Sequence, residues 1–345
     1  MSRRMKVTMR DVARLAGVSV ATVSSVINAS AVVSPKRTQK VRDAMAALDY
    51  HPDQVARSLK VGRTEVIGMM IPDITNSFYP EVIRGVEDAA REAGYSVMLC
   101  NTNEDPEQEQ RHLSTLLSRR VDGILIACSA KSTAYDRLTR NRTPIVFFDR
   151  IPLGLHCSAV GTDNIDAGYQ AALRLIELGH QRIAMITGDL TLSPHRDRLE
   201  GFRRAMQEHH LAIRKEYLRG GDFQIASGHR AGQELLSLDQ PPTAIVSSNN
   251  KMLLGLMRAL GELGVPCPGR VSVIGFDDYA WTEHFTPRLT IIAQRTYEMG
   301  RRAMEMLLGR IQGEPLLGEP VLLKAELRAR ESTARVALEQ VRASG

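Results

Sequence analysis

From residue 64 onward the chain alternates short apolar runs with amphipathic stretches, and few folds accept that pattern. The runs are Val66–Pro72, Tyr95–Cys100, Gly123–Cys128, Ile145–Phe148, Arg182–Ile186, Thr243–Val246 and Val271–Phe276. Helix-like stretches such as Glu81–Ala93, Ala167–Leu178, Pro194–His209 and Lys251–Leu263 lie between them. Fully buried parallel strands read as continuous apolar runs, and each pair needs a crossover helix, so the class is α/β. Roughly 280 residues of this pattern exceed what one hydrophobic core holds and predict two doubly wound lobes.

The first 63 residues are different. They hold twelve Lys/Arg against four Asp/Glu and one aromatic residue, Tyr50, while the chain as a whole carries +6. A basic head on a near-neutral body points to a polyanion as the partner of the head alone. Its pattern reads as a helix-turn-helix. Thr8 caps a first helix with Val12, Leu15 and Ala16 on its inner face, and Gly17 ends it. Ser19 caps a second helix through Ile27, with Val23, Val26 and Ile27 inward and Val20, Ala21, Thr22 and Ser25 outward. Small side chains on that outer face suit close entry into a DNA major groove. A third helix spans Pro35 to Leu48, with Lys36, Arg37 and Lys40 near its start. His51–Lys60 is helix-compatible, but too short to be stable alone and in need of a partner.

The segments DVARLAGVSVATVSSVIN and VSPKRTQKVRDAMAALDYHPDQVARSLKVGRTEVIGMMIPDITNSFY, with VSVIGFDD further on, closely resemble the LacI/GalR family of bacterial transcription repressors. The resemblance implies a homodimer on double-stranded operator DNA. It assigns Thr22 and Ser24 to backbone contacts and Val20, Ala21 and Ser25 to base edges, with Thr8, Ser19, Asn28 and Val32 flanking them. Leu59 is the implied minor-groove wedge, beside Ala56 and Lys60. Many relatives carry Arg where this chain has Ser25, so guanine readout at that base is expected to differ or relax. The implied divisions are a helix-turn-helix domain at 1–51, a hinge helix at 52–62, an N-lobe at 63–163 and 293–323, and a C-lobe at 164–292 and 324–345. The body then takes the architecture of a type I periplasmic binding protein, its lobes joined by three strands.

Ligands in open α/β sheets bind beyond the carboxyl ends of the strands. Those ends here carry Asp73, Asn101, Ser129, Asp149-Arg150, Asp163-Asn164, Thr187, Asn249-Asn250 and Asp277-Asp278. Asp73, Asp163 and Asn250 read better as caps or turn formers, whereas Asp149, Arg150 and Asp277 read as polyol contacts. The family correspondence adds Phe78, Tyr79, Arg196, Arg198, Phe223 and Asn249 as effector contacts. Trp281, the single tryptophan, is placed to stack on a sugar face. A sugar or sugar acid is the expected effector, and a purine or a protein corepressor the alternative.

Phosphate loops, nucleophile elbows and HExxH pairs are absent, so no enzyme, cofactor or metal is expected. The four cysteines are widely spaced and no apolar run reaches membrane-spanning length, which fits reduced thiols and a cytoplasmic location. The start lacks a secretory apolar core, which argues against a transport-type sugar-binding protein. The tail ARESTARVALEQVRASG has too few heptads for a tetramer-forming coiled coil, so a dimer is expected. Induction by a catabolic substrate, the commoner behaviour of the family, is expected over corepression. Leu59→Ala is expected to weaken operator binding while leaving effector affinity within about twofold; unchanged binding in an anisotropy titration would remove the wedge.

Overall fold

The computed structural model describes residues 7–28, 31–51, 63–129, 135, 143–152, 154–315 and 318–336. The expected hinge at 52–62, with Ala56, Leu59 and Lys60, lies outside the described residues, as does the tail beyond 336. The chain divides into two units, residues 1–64 and 65–345.

The first unit holds helices α1 (Met9–Ala16), α2 (Val20–Asn28) and α3 (Pro35–Ala47). Asp11 accepts hydrogen bonds from the Thr8 amide at 3.0 Å and the Thr8 hydroxyl at 2.6 Å, fastening the start of α1. Gly17 leaves α1 in the left-handed region (φ 67°), where a Cβ would be strained. The core is Val12, Ala13, Ala16, Val23, Val41 and Ala44, flanked by Val26, Ile27, Met45 and Leu48. One expectation fails here. Leu15 is 56% exposed, and Ala13 takes the inward place, because three short helices close on small residues and leave no room for a leucine on that face.

The second unit contains two six-stranded sheets. The first is built from β1 (Val66–Ile71), β2 (Ser96–Asn101), β3 (Gly123–Ile126), β4 (Ile145–Phe148), β5 (Ser158–Thr162) and β11 (Val321–Leu323). Its order is β11-β5-β4-β3-β1-β2, all parallel. The second takes β6 (Ile183–Thr187), β7 (Leu218–Gly220), β8 (Ala244–Ser247), β9 (Ser272–Phe276), β10 (Thr290–Ala293) and β12 (Glu326–Arg328). Its order is β12-β10-β9-β8-β6-β7, parallel except for β12. Helices α4 (Phe78–Glu92), α5 (Pro106–Ser118) and α11 (Thr296–Ile311) serve the first sheet. Helices α6 (Asn164–Glu177), α7 (Ser193–Glu208), α8 (Ile225–Leu236), α9 (Asn250–Glu262) and the short α10 (Ala280–His284) serve the second.

All seven apolar runs form strands, with ends shifted by a residue or two. The other five strands are short or weakly apolar: β5 reads SAVGT, and β7, β11 and β12 span three residues each. The chain passes between the sheets after β5, after β10 and after β11. These passages are tied to one another: Thr162 donates to Gln294 at 2.5 Å, and the Asp163 amide donates to the Leu323 carbonyl at 2.9 Å.

Helices α6 and α7 cross at reciprocal glycines. A Cβ on Gly168 would stand 2.0 Å from the Arg198 carbonyl oxygen, and one on Gly201 would stand 1.8 Å from that of Ile165. No side chain fits either place, so the crossing sets where the Arg198 backbone lies. Gly168→Ala is expected to cost about 1–3 kcal/mol in urea unfolding, as overpacking does. Gly261→Ala, on α9 with nothing within 4 Å of the added methyl, is expected to be neutral or stabilising. Equal effects would refute the close-crossing argument.

Candidate functional site

In the first unit the outer face of α2 is small and open. Val20 is 43% exposed and Ala21 is exposed, while Thr22, Ser24 and Ser25 are half-buried. Ser19 accepts from the Thr22 amide at 3.1 Å, which caps the helix, and its hydroxyl also bonds the Thr22 hydroxyl at 2.9 Å. That end of α2 presents amide N–H groups, which favour an anion such as a phosphate. Asn28 ends α2. Val32 stands fully in solvent, and Lys36, Arg37 and Lys40 are exposed along α3.

In the second unit, charged side chains from both lobes converge beyond the strand ends. Asp149 follows β4, Asp277 follows β9, and both are buried. Asp149 (φ 59°), Asp277 (φ 71°) and Phe223 (φ 67°) all occupy the left-handed region without being glycine. Such strain persists only where the surroundings impose it, and it gathers at ligand sites. Tyr79 donates to Asp149 at 3.1 Å. Gln294 donates to Asp277 at 2.6 Å, which links that carboxyl to the passage at Thr162.

Arg198 donates to Asn164 at 2.8 Å and to the Ser248 carbonyl at 2.6 Å, with its guanidinium 4.0 Å over the Phe276 ring. Its direct partners are neutral. Burial raises the pKa of Asp149 against the pull of Arg150 and Arg198, and raises that of Asp277 against Arg198. Burial lowers the pKa of Arg198, with Asp277 and Asp149 opposing. Arg198 thus serves both aspartates, Asp277 on its own lobe and Asp149 across the cleft. Arg150 is held by Glu104, as a bidentate pair at 2.7 Å and 2.7 Å. His195 bonds Ser248 at 3.1 Å and lies 4.8 Å from the Phe223 ring. Burial, then Arg198 and Arg150, hold its pKa well below the ordinary value, so the imidazole is neutral.

Other expected contacts have other partners. Asn249 is the N-cap of α9, accepting from the Met252 amide at 3.1 Å. Asn250, expected to be the cap, instead reaches across the cleft to Asn76 at 2.8 Å and to the Tyr279 hydroxyl at 3.1 Å. Asp163 caps α6, and Asp73 forms a turn with Thr75, both as read. Asp73 also pairs with Lys251 of the other lobe at 2.6 Å. Arg196 is bound to its neighbour Asp197 at 2.9 Å. Phe78 packs edge-on to Tyr79 with ring centroids 5.1 Å apart, and Trp281 stacks on Tyr279 at 5.9 Å. Ser193 accepts from the Ile151 amide at 2.9 Å rather than pairing with His195. Glu104, Asn76, Asn250 and Gln294 were missed as cleft residues. Gln294 and Asn250 both lie just past the end of a strand, and Asn250 was read there as a cap or turn former.

Two family models match: "Bacterial regulatory proteins, lacI family" over residues 8–53 and "Periplasmic binding protein-like domain" over 172–333. The ribose operon repressor of Escherichia coli K12 is 41% identical over 324 residues, covering 92% of this chain and 98% of its own. The chain belongs to the lacI family. Family members of this kind are transcriptional repressors, so it is a DNA-binding regulator and not an enzyme. The Lac repressor dimer bound to operator and the anti-inducer ONPF matches with a TM-score of 0.86 at 29% identity, covering 96% of this chain and 100% of that one. A LacI-family regulator from Enterococcus faecium with bound ribose matches with a TM-score of 0.70 at 33% identity, covering 79% and 100%. Among the described residues no helix is long and apolar enough to cross a membrane.

The buried histidine has a pH signature. An unfolded histidine takes up a proton below about pH 6.5, but His195 in the folded protein does not, so its share of stability is lost as pH falls through that value. Its contribution to the slope reaches about 1.4 kcal/mol per pH unit. His195→Gln is expected to flatten the rise in unfolding free energy between pH 5.5 and 7.5; an unchanged slope would mean the ring is not held neutral.

Proposed function

We propose that this regulator is a homodimeric repressor that grips operator DNA through its helix-turn-helix unit and releases it when a neutral sugar of the ribose type fills the interlobe cleft. The observation that carries the reading is the convergence of Asp149 and Asp277 from opposite lobes on Arg198, each carboxyl at a strained strand end. Buried carboxyls accept hydroxyl hydrogens, a guanidinium donates to ring or hydroxyl oxygens, and aromatic walls cover the C–H faces of a sugar. The repressor named for the ribose operon and the ribose-bound regulator support the same ligand class.

In this reading Asp149, Arg150, Arg198, Asp277, Phe223, Phe78 and Tyr79 surround the sugar, Trp281 closes the rim, and Arg196 and Asn249 support the wall. On the DNA side, Thr22 and Ser24 meet the backbone, and Val20, Ala21 and Ser25 meet base edges. Thr8, Ser19, Asn28 and Val32 border the contact, and Leu59 wedges the minor groove with Ala56 and Lys60 beside it. The domain divisions proposed are 1–51, 52–62, 63–163 with 293–323, and 164–292 with 324–345. Two copies place their recognition helices in successive major grooves, as a two-fold operator requires. The protein acts on the chromosome, in the cytoplasm. An inducer must bind the DNA-incompetent arrangement more tightly, since equal affinity for both shifts nothing.

Isothermal titration of the full chain is expected to show saturable D-ribose binding and no binding of hypoxanthine. Arg198→Ala and Asp277→Ala are each expected to lower sugar affinity by about 100-fold, the worth of a charged hydrogen bond lost in a buried site. Operator affinity without sugar should stay within about threefold. Normal sugar binding by both variants, or tight hypoxanthine binding, would overturn the assignment.

A further inference from the structure

Of the two guanidiniums in the cleft, only one has its charge met by a direct ion pair. Arginine carries five N–H donors. In Arg150, Glu104 takes two of them at 2.7 Å and 2.7 Å, and the Cys128 carbonyl takes a third at 3.2 Å. The Phe223 ring centroid lies 5.4 Å from the guanidinium carbon, and the Arg150 side chain is only 7% exposed. The pair therefore has its guanidinium buried in the cleft wall and its carboxylate partly open to solvent, at 25% exposure.

The backbone is bent to deliver that carboxylate. Asn103 (φ 53°) and Glu104 (φ 58°) are consecutive left-handed residues, neither of them glycine. Asn103 is held by Asn101 at 2.5 Å and by Gln108 at 3.1 Å, and the Glu104 amide donates to the Pro72 carbonyl at 3.0 Å. Strain of this kind persists only where the surrounding bonds hold it in place. Arg198, in contrast, has only neutral direct partners among the described residues, Asn164 and the Ser248 carbonyl, and shares the charges of Asp149 and Asp277. The cleft thus carries the carboxyls of Glu104, Asp149 and Asp277 against the guanidiniums of Arg150 and Arg198.

We propose that Glu104 is a charge filter: by neutralising Arg150 it makes the cleft select an uncharged sugar and exclude the carboxylate form of the same sugar. The proposal rests on the cleft being the effector site. An unpaired buried guanidinium would bind a carboxylate strongly, as a bidentate pair. With Glu104 in place an incoming anion meets a surplus of carboxyls instead, in a setting where little solvent screens the repulsion. One Arg150 terminal N–H remains for a neutral oxygen, and Nε–H, 3.9 Å from Asp149, sits where a hydroxyl could bridge it to that carboxyl.

The test titrates D-ribose and D-ribonate into the full-length protein, Glu104→Gln and Glu104→Asp, with thermal unfolding of each. The wild type is expected to prefer ribose over ribonate by at least about 100-fold. Glu104→Gln should narrow that preference at least about tenfold, and Glu104→Asp, which keeps the charge, should hold it within about threefold. A purely structural ion pair would lower the unfolding temperature of Glu104→Gln and leave the preference unchanged, which would overturn the filter. So would a wild type that binds both ligands alike. Should Glu104→Gln fail to fold, Glu104→Met, uncharged and of similar length, takes its place with the same narrowing expected; an unmoved preference there would also overturn the filter. A wild type that binds neither ligand overturns the effector reading itself, whereas ribose binding with an unmoved preference defeats only the filter.

Discussion

Everything in the larger unit is arranged around charges that neither lobe can stabilise alone. Asp149 ends a strand of one sheet, and Asp277 and Arg198 belong to the other. All three are buried; Arg198 draws on Asp277 of its own lobe and on Asp149 of the other, and Asp149 draws on Arg150 and on Arg198 across the cleft. Burying an ion without compensation costs several kcal/mol. The position of one lobe over the other is therefore an electrostatic quantity, and a polar solute that completes the cluster necessarily bears on it. The interlobe ties from Lys251 to Asp73 and from Asn250 to Asn76 add polar bonds that exist only while the lobes face each other in this way.

The route from that cluster toward the rest of the chain is short. Asp277 takes a hydrogen bond from Gln294, and Gln294 takes one from Thr162. Thr162 and Gln294 sit on two of the three passages between the sheets, and Asp163 is bonded to Leu323 on the third. Asp277 is thus hydrogen-bonded, through Gln294, to the passages that join the lobes. Reciprocal glycines at the α6–α7 crossing keep the Arg198 backbone fixed while this happens. The helix-turn-helix unit has its own separate core, so its fold does not depend on the charges of the larger unit.

Much of this was legible in the residues because parallel strands buried on both faces leave an unmistakable apolar run. Gly17, Ser19 and Thr8 announce helix ends by chemistry that does not depend on tertiary context. Leu15 was misplaced because helical spacing does not say how close two neighbouring helices approach. Asn249 and Asn250 exchanged expected roles for a similar reason: either amide can cap a helix, and a shift of one residue decides which one faces the cleft. Glu104 was invisible. It lies in a polar loop that reads as an ordinary turn, and its meaning comes from two left-handed residues and a guanidinium 46 positions away. The strand ends were read correctly as a place for ligands, but the partner that sets the charge of Arg150 belongs to a loop no periodicity describes.

Release of operator by a sugar requires that the two ligands favour opposite arrangements of one molecule, and coupling of that kind is reciprocal. The direct measurement is D-ribose affinity of the free protein against that of the protein saturated with a duplex it has itself retained from fragmented genomic DNA. The expected result is sugar binding at least about tenfold weaker on the DNA complex, matched by an equal loss of duplex affinity when sugar is present. Identical sugar affinity in both forms would contradict it, whatever either ligand's strength alone.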